Sequence, residues 1–166
     1  MTNMTFEAAI AYTETLRERK DLEASQLKSE IEALIKTSNG ARGFFVSFLT
    51  GEWELADSPS EAIIQAFQAE PNAIAELLVK NLAMSTAMAI TYQRNGNLEQ
   101  ARGSERVAKR TALLIEKVDL PEVRAIAVQM QNSAIFNIGA YSAFLEKWGY
   151  DAEQKQAIAN VLTITN

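Results

Sequence analysis

Glu14, Glu18 and Asp21 follow one another at steps of four and three, so a helix would set three carboxylates on one face. A row of oxygen ligands suits a hard divalent cation, Mg²⁺ or Mn²⁺. No softer metal chemistry is open, because the 166 residues include no histidine and no cysteine. The chain therefore lacks an imidazole to act as a base near neutral pH and a thiolate to act as a nucleophile. It also lacks the nitrogen and sulfur ligands of zinc sites. Arg17, Arg19 and Lys20 crowd the same turn, and Arg17–Asp21 and Arg19–Glu23 read as surface pairs worth about 0.2–0.5 kcal/mol each.

The carboxylate row resembles, in type, the carboxylate helices of all-helical nucleotide pyrophosphohydrolases. Glu18-x-x-Asp21 supplies one half of their paired signature, and no Glu-x-x-Glu occurs anywhere in the chain. Glycine-rich phosphate loops of the G-x-x-x-x-G-K-[ST] and G-x-G-x-x-G kinds are absent, as is G-x-S-x-G with a partner histidine. The expectation is a non-enzymatic protein that needs no cofactor. A carboxylate-dependent Mg²⁺ hydrolase is the last of the alternatives.

The elements that would position any site are helical. Only 3 Pro and 7 Gly are present, too few for a many-stranded architecture. Ser58-Pro59-Ser60-Glu61, Asn97-Leu98-Glu99-Gln100, Asp119-Leu120-Pro121-Glu122 and Asp151-Ala152-Glu153-Gln154 read as helix starts. Asn39-Gly40, Asn95-Gly96 and Gly149 read as stops, since these residues tolerate left-handed backbone. Between the marks, helices are expected at 59–69, 72–94, 98–117, 121–147 and 152–163.

Apolar positions further upstream define two more faces, Phe6, Ala9, Ile10, Thr13 and Leu16, then Leu27, Ile31, Leu34 and Ile35. Two helices breaking near Lys20-Asp21 are favoured over one long helix. Gly43–Gly51, with its three phenylalanines, is read as a short helix because no partner strand is visible. The sum is an all-α, single-domain bundle of about seven to eight helices. Charged N-terminal helices (1–38), peripheral or swapped onto a second copy, precede a main bundle (39–166) whose spine is two long apolar helices, 72–94 and 121–147. On the second, Val123, Ile126, Met130, Ala134, Ile138, Tyr141, Leu145 and Trp148 form one continuous stripe.

Three features are candidates for recognition. Phe44, Phe45 and Phe48, with Trp53 nearby and Glu52, Glu54 and Asp57 around them, form an acid-rimmed apolar patch suited to a basic-rimmed partner helix, or else a core plug with Trp53 partly exposed. Among Arg102, Arg106, Lys109 and Arg110, spacings of three and four put Arg102, Arg106 and either Lys109 or Arg110 on one helix face, opposite Ala101, Ala108 and Ile115. That stripe suits an anionic partner, the acidic stretch of a second copy, or plain solvent. Gln129, Asn132 and Asn137 lie near the core edge of 121–147, where they would line a small polar cavity, bridge helices or face water.

Ala89, Tyr92, Asn95-Gly96, Ala101 and Ala108 sit at spacings that resemble a tetratricopeptide helix pair over about 34 residues. In that family the tyrosine packs on the partner helix and the small residues let the pair close, which implies peptide binding. The pattern departs at Glu105 and Leu113, and the sequence holds no second copy. Any tight antiparallel helix pair also selects small residues at such positions.

Charge bounds the partners. The formal net charge is −5. From Gly43 to Val79 there are six acids and no base, whereas Arg94–Arg110 holds five bases against Glu99 and Glu105. Nucleic-acid binding is not expected from an acidic chain. Membrane insertion is not expected either, since the most apolar stretch carries Glu76 and Lys80. The N-terminus has no basic residue before Arg17, unlike a secretory signal, and a cytoplasmic location follows as the simplest expectation. The leading reading is an interaction or scaffold domain for a protein partner or for itself as a homo-oligomer. A bundle holding a small ligand between its two central helices is the alternative.

Overall fold

A computed structural model describes residues 4–165, and every regular element among them is helical. Ten α-helices and a closing 3₁₀ turn follow in order: α1 (Phe6–Glu18), α2 (Ala24–Ile35), α3 (Ser38–Thr50), α4 (Glu54–Asp57), α5 (Glu61–Gln68), α6 (Pro71–Arg94), α7 (Leu98–Val118), α8 (Pro121–Phe136), α9 (Ser142–Lys147), α10 (Ala152–Val161) and the turn Leu162–Thr165. The all-α class is as the sequence implies. The extra helices come from two short elements and from one long helix that breaks. Packing divides the chain into two compact units, Met1–Ile74 and Ala75–Asn166, the division falling inside α6.

In the first unit, α1 packs on α3, and α2 packs on α3 and α5. The N-terminal third is two helices, as its two apolar faces require. Thr5 caps α1 by accepting from the Ala8 N–H (3.1 Å), and Ala9, Thr13 and Leu16 form its buried face. The α1–α3 crossing is close. A Cβ on Gly43 would lie 2.5 Å from the Ala9 Cβ and 2.7 Å from the Phe6 carbonyl oxygen, so only glycine fits there.

The 43–51 segment is helical, and longer than expected. Asn39-Gly40 is no stop: Thr37 caps α3 by accepting from the Gly40 N–H (3.0 Å), which draws both residues into its first turn. A threonine cap two residues upstream outcompetes the turn propensity of Asn-Gly. Similarly, α5 starts at Ser60, whose hydroxyl accepts from the Ile63 N–H, and not at Ser58.

In the second unit α6 is the apolar member. It is long and apolar enough to cross a bilayer by length and composition alone, and Leu78, Val79, Leu82, Ala83 and Ala87 are fully buried. Asn95-Gly96 turns the chain with Gly96 at φ +73°, and Asn97 caps α7 by accepting from the Gln100 N–H. Asp119 does not cap α8. It closes α7 in the left-handed region at φ 48°, and Pro121 starts α8 with no side-chain cap. The Asp151 carboxylate caps α10 through the Gln154 N–H (3.0 Å), while the Gln154 side chain accepts from the Asp151 N–H (3.1 Å). Gln131 of α8 donates to the Ala159 carbonyl of α10 (2.9 Å), and Gln154, itself buried, donates to the Ala87 carbonyl (2.9 Å) and Thr91 hydroxyl (2.8 Å) of α6.

The expected 121–147 helix is the main correction. It stops at Phe136, because Asn137 adopts φ 60° and Gly139 φ 117°, and it resumes as α9 only at Ser142. Ser133 fixes the break. Its buried hydroxyl donates to the Gln129 carbonyl (2.9 Å) and accepts from the Tyr141 N–H (3.0 Å) across the turn. The stripe from Val123 to Trp148 is therefore cut after Ala134: beyond it Leu145 is still buried, whereas Ile138 and Trp148 are exposed.

Candidate functional site

The carboxylates Glu14, Glu18 and Asp21 do not converge. Glu14 is engaged by the Ser47 hydroxyl and by Arg17, and Asp21 by Arg19 at 3.3 Å. Arg19 holds the Asp21 carboxyl below its usual range through this hydrogen bond, with a backbone N–H adding to it. Among the described residues no three acidic side chains come together in a way that would hold a metal ion.

Phe44, Phe45 and Phe48 lie in the interior. The Phe44 and Phe48 rings stack at 5.1 Å, Phe45 meets Phe44 edge-on at 5.3 Å, and Phe67 of α5 closes the cluster 5.2–6.1 Å from all three. Trp53 packs its ring 5.3 Å from Phe48 and is buried, not partly exposed. These four residues therefore present no ring to a docking partner. The aromatic run serves the first unit's core because each ring gains more from the others than from water.

The basic stripe on α7 does not share one environment. Arg102 and Lys109 are exposed, Arg106 is half-buried and Arg110 is buried. Of the two alternatives for the end of the stripe, Lys109 is the exposed one, and Arg110 joins the buried face of α7 with Thr111, Leu114, Ile115 and Val118. Glu105, where the repeat-like pattern departs, accepts from the Gln93 side chain at 2.8 Å, which links α7 to α6. Gln129, Asn132 and Asn137 all face solvent.

The exposed apolar residues of this region flank the break after α8 and the end of α9. Ile135, Phe136, Ile138 and Trp148 are large, apolar and between 47% and 71% exposed. A continuous helix would have carried Ile138 and Trp148 along its inner stripe. The left-handed Asn137 and Gly139 turn the chain out instead. With full side-chain areas of about 150–250 Å², the four together leave roughly 450 Å² in water, near the middle of the ~300–600 Å² that a monomer's largest apolar patch reaches. The sequence carried a signal for this corner: an Asn and a Gly bracketing Ile138, the same residue types that stop α6.

Beside the corner is a half-open cavity of about 320 Å³, whose walls include Ala134, Ile135, Asn137, Tyr150, Asp151 and Lys155. Ile135 belongs to both cavity and patch. The Lys155 ammonium donates to the Asn137 Oδ1 at 2.6 Å. Arg94 binds Asp151 at 2.6 Å and Glu153 at 3.2 Å. This contact, helped by the Gln154 N–H, holds the Asp151 carboxyl below its ordinary range. Tyr150 is buried in the wall, its hydroxyl has no hydrogen-bond partner among the described residues, and burial pushes its ionisation up to about 12. Lys147 places its ammonium 5.4 Å from the centre of the Trp148 ring, a cation–π contact at the far side of the patch.

The class of protein this defines is an all-helical chain of two compact units with an apolar corner in the second. The chain belongs to a family described as uncharacterised conserved protein UCP020893, whose model matches residues 5–165. No curated protein and no solved structure matches it.

Proposed function

We propose that this chain is a non-enzymatic interaction domain, and that it docks a protein partner through the corner between α8 and α9. The observation that supports the reading is the exposure of Ile135, Phe136 and Ile138 around one turn, with Trp148 exposed at the end of the next helix. Solvent-facing turns are ordinarily polar, and leaving such side chains in water forgoes about 1.5–3 kcal/mol for each one that could be fully buried. The geometry is also held firmly, since Ser133 ties the turn back onto α8 from both sides. A rigid apolar surface loses little freedom when it meets a partner.

The patch supplies roughly half of the ~800 Å² that one side of a standard interface buries. It is the right size for an interface centre, with exposed Lys147, Glu146 and Gln156 available as a polar rim. This surface replaces the Phe44–Trp53 run and the Arg102–Arg110 stripe as the place to look. Quantitative co-purification from native cells tests it, comparing the tagged wild type with Phe136→Glu and Trp148→Glu after circular dichroism shows both still folded. The expected result is a stoichiometric partner lost from both variants, with the contact rebuilt from the two purified proteins. An identical set of co-purifying proteins from wild type and variants would reject the surface.

A further inference from the structure

The cations near the corner are not equally satisfied. Arg94 is shared between Asp151 and Glu153, and Lys80 pairs with Glu76 at 2.8 Å. Lys155 meets only the neutral amide oxygen of Asn137, and Lys147 only the face of Trp148. Neither has a carboxylate within 4 Å among the described residues. The Lys155 ammonium carries three N–H donors, of which the structure shows one committed to protein. A cavity with a cation that meets no carboxylate, opening beside exposed isoleucine, suits a group that is both anionic and attached to something apolar.

Resting on the docking surface proposed above, we infer that the partner's docking segment carries an aspartate or glutamate beside a bulky apolar anchor. The carboxylate seats against Lys155 in the cavity, and the anchor lies on Ile135, Phe136 and Trp148. Charge distribution agrees with this. The first unit holds six bases against twelve acids and the second ten against nine, so −6 and +1 make up the total of −5. An acidic segment is repelled by the first unit and tolerated by the second. A bilayer is the less suitable occupant: an acidic chain is repelled by anionic headgroups, and an acyl surface offers no single group to fill a polar-walled cavity.

Selection of a random phage-displayed dodecapeptide library on the full chain tests the inference, run in parallel on Lys155→Glu, Lys155→Met and the Phe136→Ser/Trp148→Ser double variant, each first shown to keep its helicity and melting temperature. The enriched peptides are expected to carry Asp or Glu within four residues of Leu, Phe or Trp. Synthesised singly, they should bind Lys155→Met about tenfold more weakly than wild type, the loss of one charge-assisted contact. They should not bind the double variant, and Lys155→Glu should select Lys or Arg in the acid's place. Peptides lost on the double variant but showing no acid preference and indifferent to Lys155 would overturn the inference and leave the docking surface standing. No enrichment, or enrichment indifferent to the double variant, would overturn both. Co-sedimentation of the wild type with phosphatidylcholine vesicles, abolished in the double variant, would overturn the inference in favour of a membrane surface.

Discussion

Replacing Phe44 with alanine should cost the first unit about 3–5 kcal/mol, the range for truncating a fully buried phenylalanine. The structure puts this site at the upper part of that range. Phe44 is wholly buried and touches three other rings, stacking on Phe48 at 5.1 Å and meeting Phe45 and Phe67 edge-on at 5.3 and 5.8 Å. Those rings are themselves held by α3 and α5, so the cavity left behind collapses only in part. With a urea dependence of about 1–3 kcal/mol per molar, the midpoint should fall by roughly 2 M. The chain provides its own reporter, because it holds two tryptophans, Trp53 in the first unit and Trp148 in the second. In a Trp148→Phe background the fluorescence comes from Trp53 alone, 5.3 Å from Phe48 and so inside the affected core. The matched control, followed by circular dichroism because it lies in the second unit, is Phe136→Ser, which removes a ring of the same type that is 65% exposed and should change stability by no more than about 0.5 kcal/mol. A Phe44→Ala loss below about 1 kcal/mol, or a Phe136→Ser loss as large as that of Phe44→Ala, would refute the assignment of one ring to the core and the other to the surface.

Gln154→Leu should destabilise the second unit by about 2–4 kcal/mol in chemical denaturation. It removes two donations to α6 and the acceptance from the Asp151 N–H, and it leaves buried polar groups unpaired. A change within error of zero would mean that the α6–α10 contact does not depend on this side chain. Tyr150 should stay protonated to about pH 12, against 10.0 for an ordinary tyrosine, read as a late phase in ultraviolet titration that Tyr150→Phe abolishes. Because the folded chain keeps a proton that the unfolded chain has released, the stability contributed by this group is complete below pH 10. It is then lost between pH 10 and 12 at about 1.4 kcal/mol per pH unit. A Tyr150→Phe variant with an unchanged alkaline slope would contradict this.

What the sequence made legible was the local chemistry of helix ends. Asn97, Asp151, Gly96 and Gly149 act where their side chains or backbone freedom say they should, and the split between α1 and α2 follows from two apolar faces that one helix could not present together. Competition between local signals was less legible. Thr37 and Asn39-Gly40 make opposite claims on the same turn, and the Thr37 cap prevails by taking the Gly40 N–H. At 137–139 a period of apolar residues running through Ile138, Tyr141 and Leu145 argued for continuity, while Asn137 and Gly139 argued for a break. The break prevails, and Ser133 holds it by accepting from the Tyr141 N–H. The candidate site followed the same logic. Aromatic residues close together in sequence, Phe44 to Trp53, are buried, whereas Phe136 and Trp148, on either side of the α8–α9 break, are exposed.

The most direct test of that corner is site-specific photo-crosslinking in native cells. A photoreactive phenylalanine analogue is placed at Phe136 and, in a second strain, at Leu98, a comparably exposed apolar position at the start of α7 (58% against 65%). The account predicts a discrete protein adduct from position 136, absent from position 98 and suppressed when Trp148→Glu is added. No adduct at 136, or the same adducts at both positions, would contradict the claim that the α8–α9 corner is the docking surface.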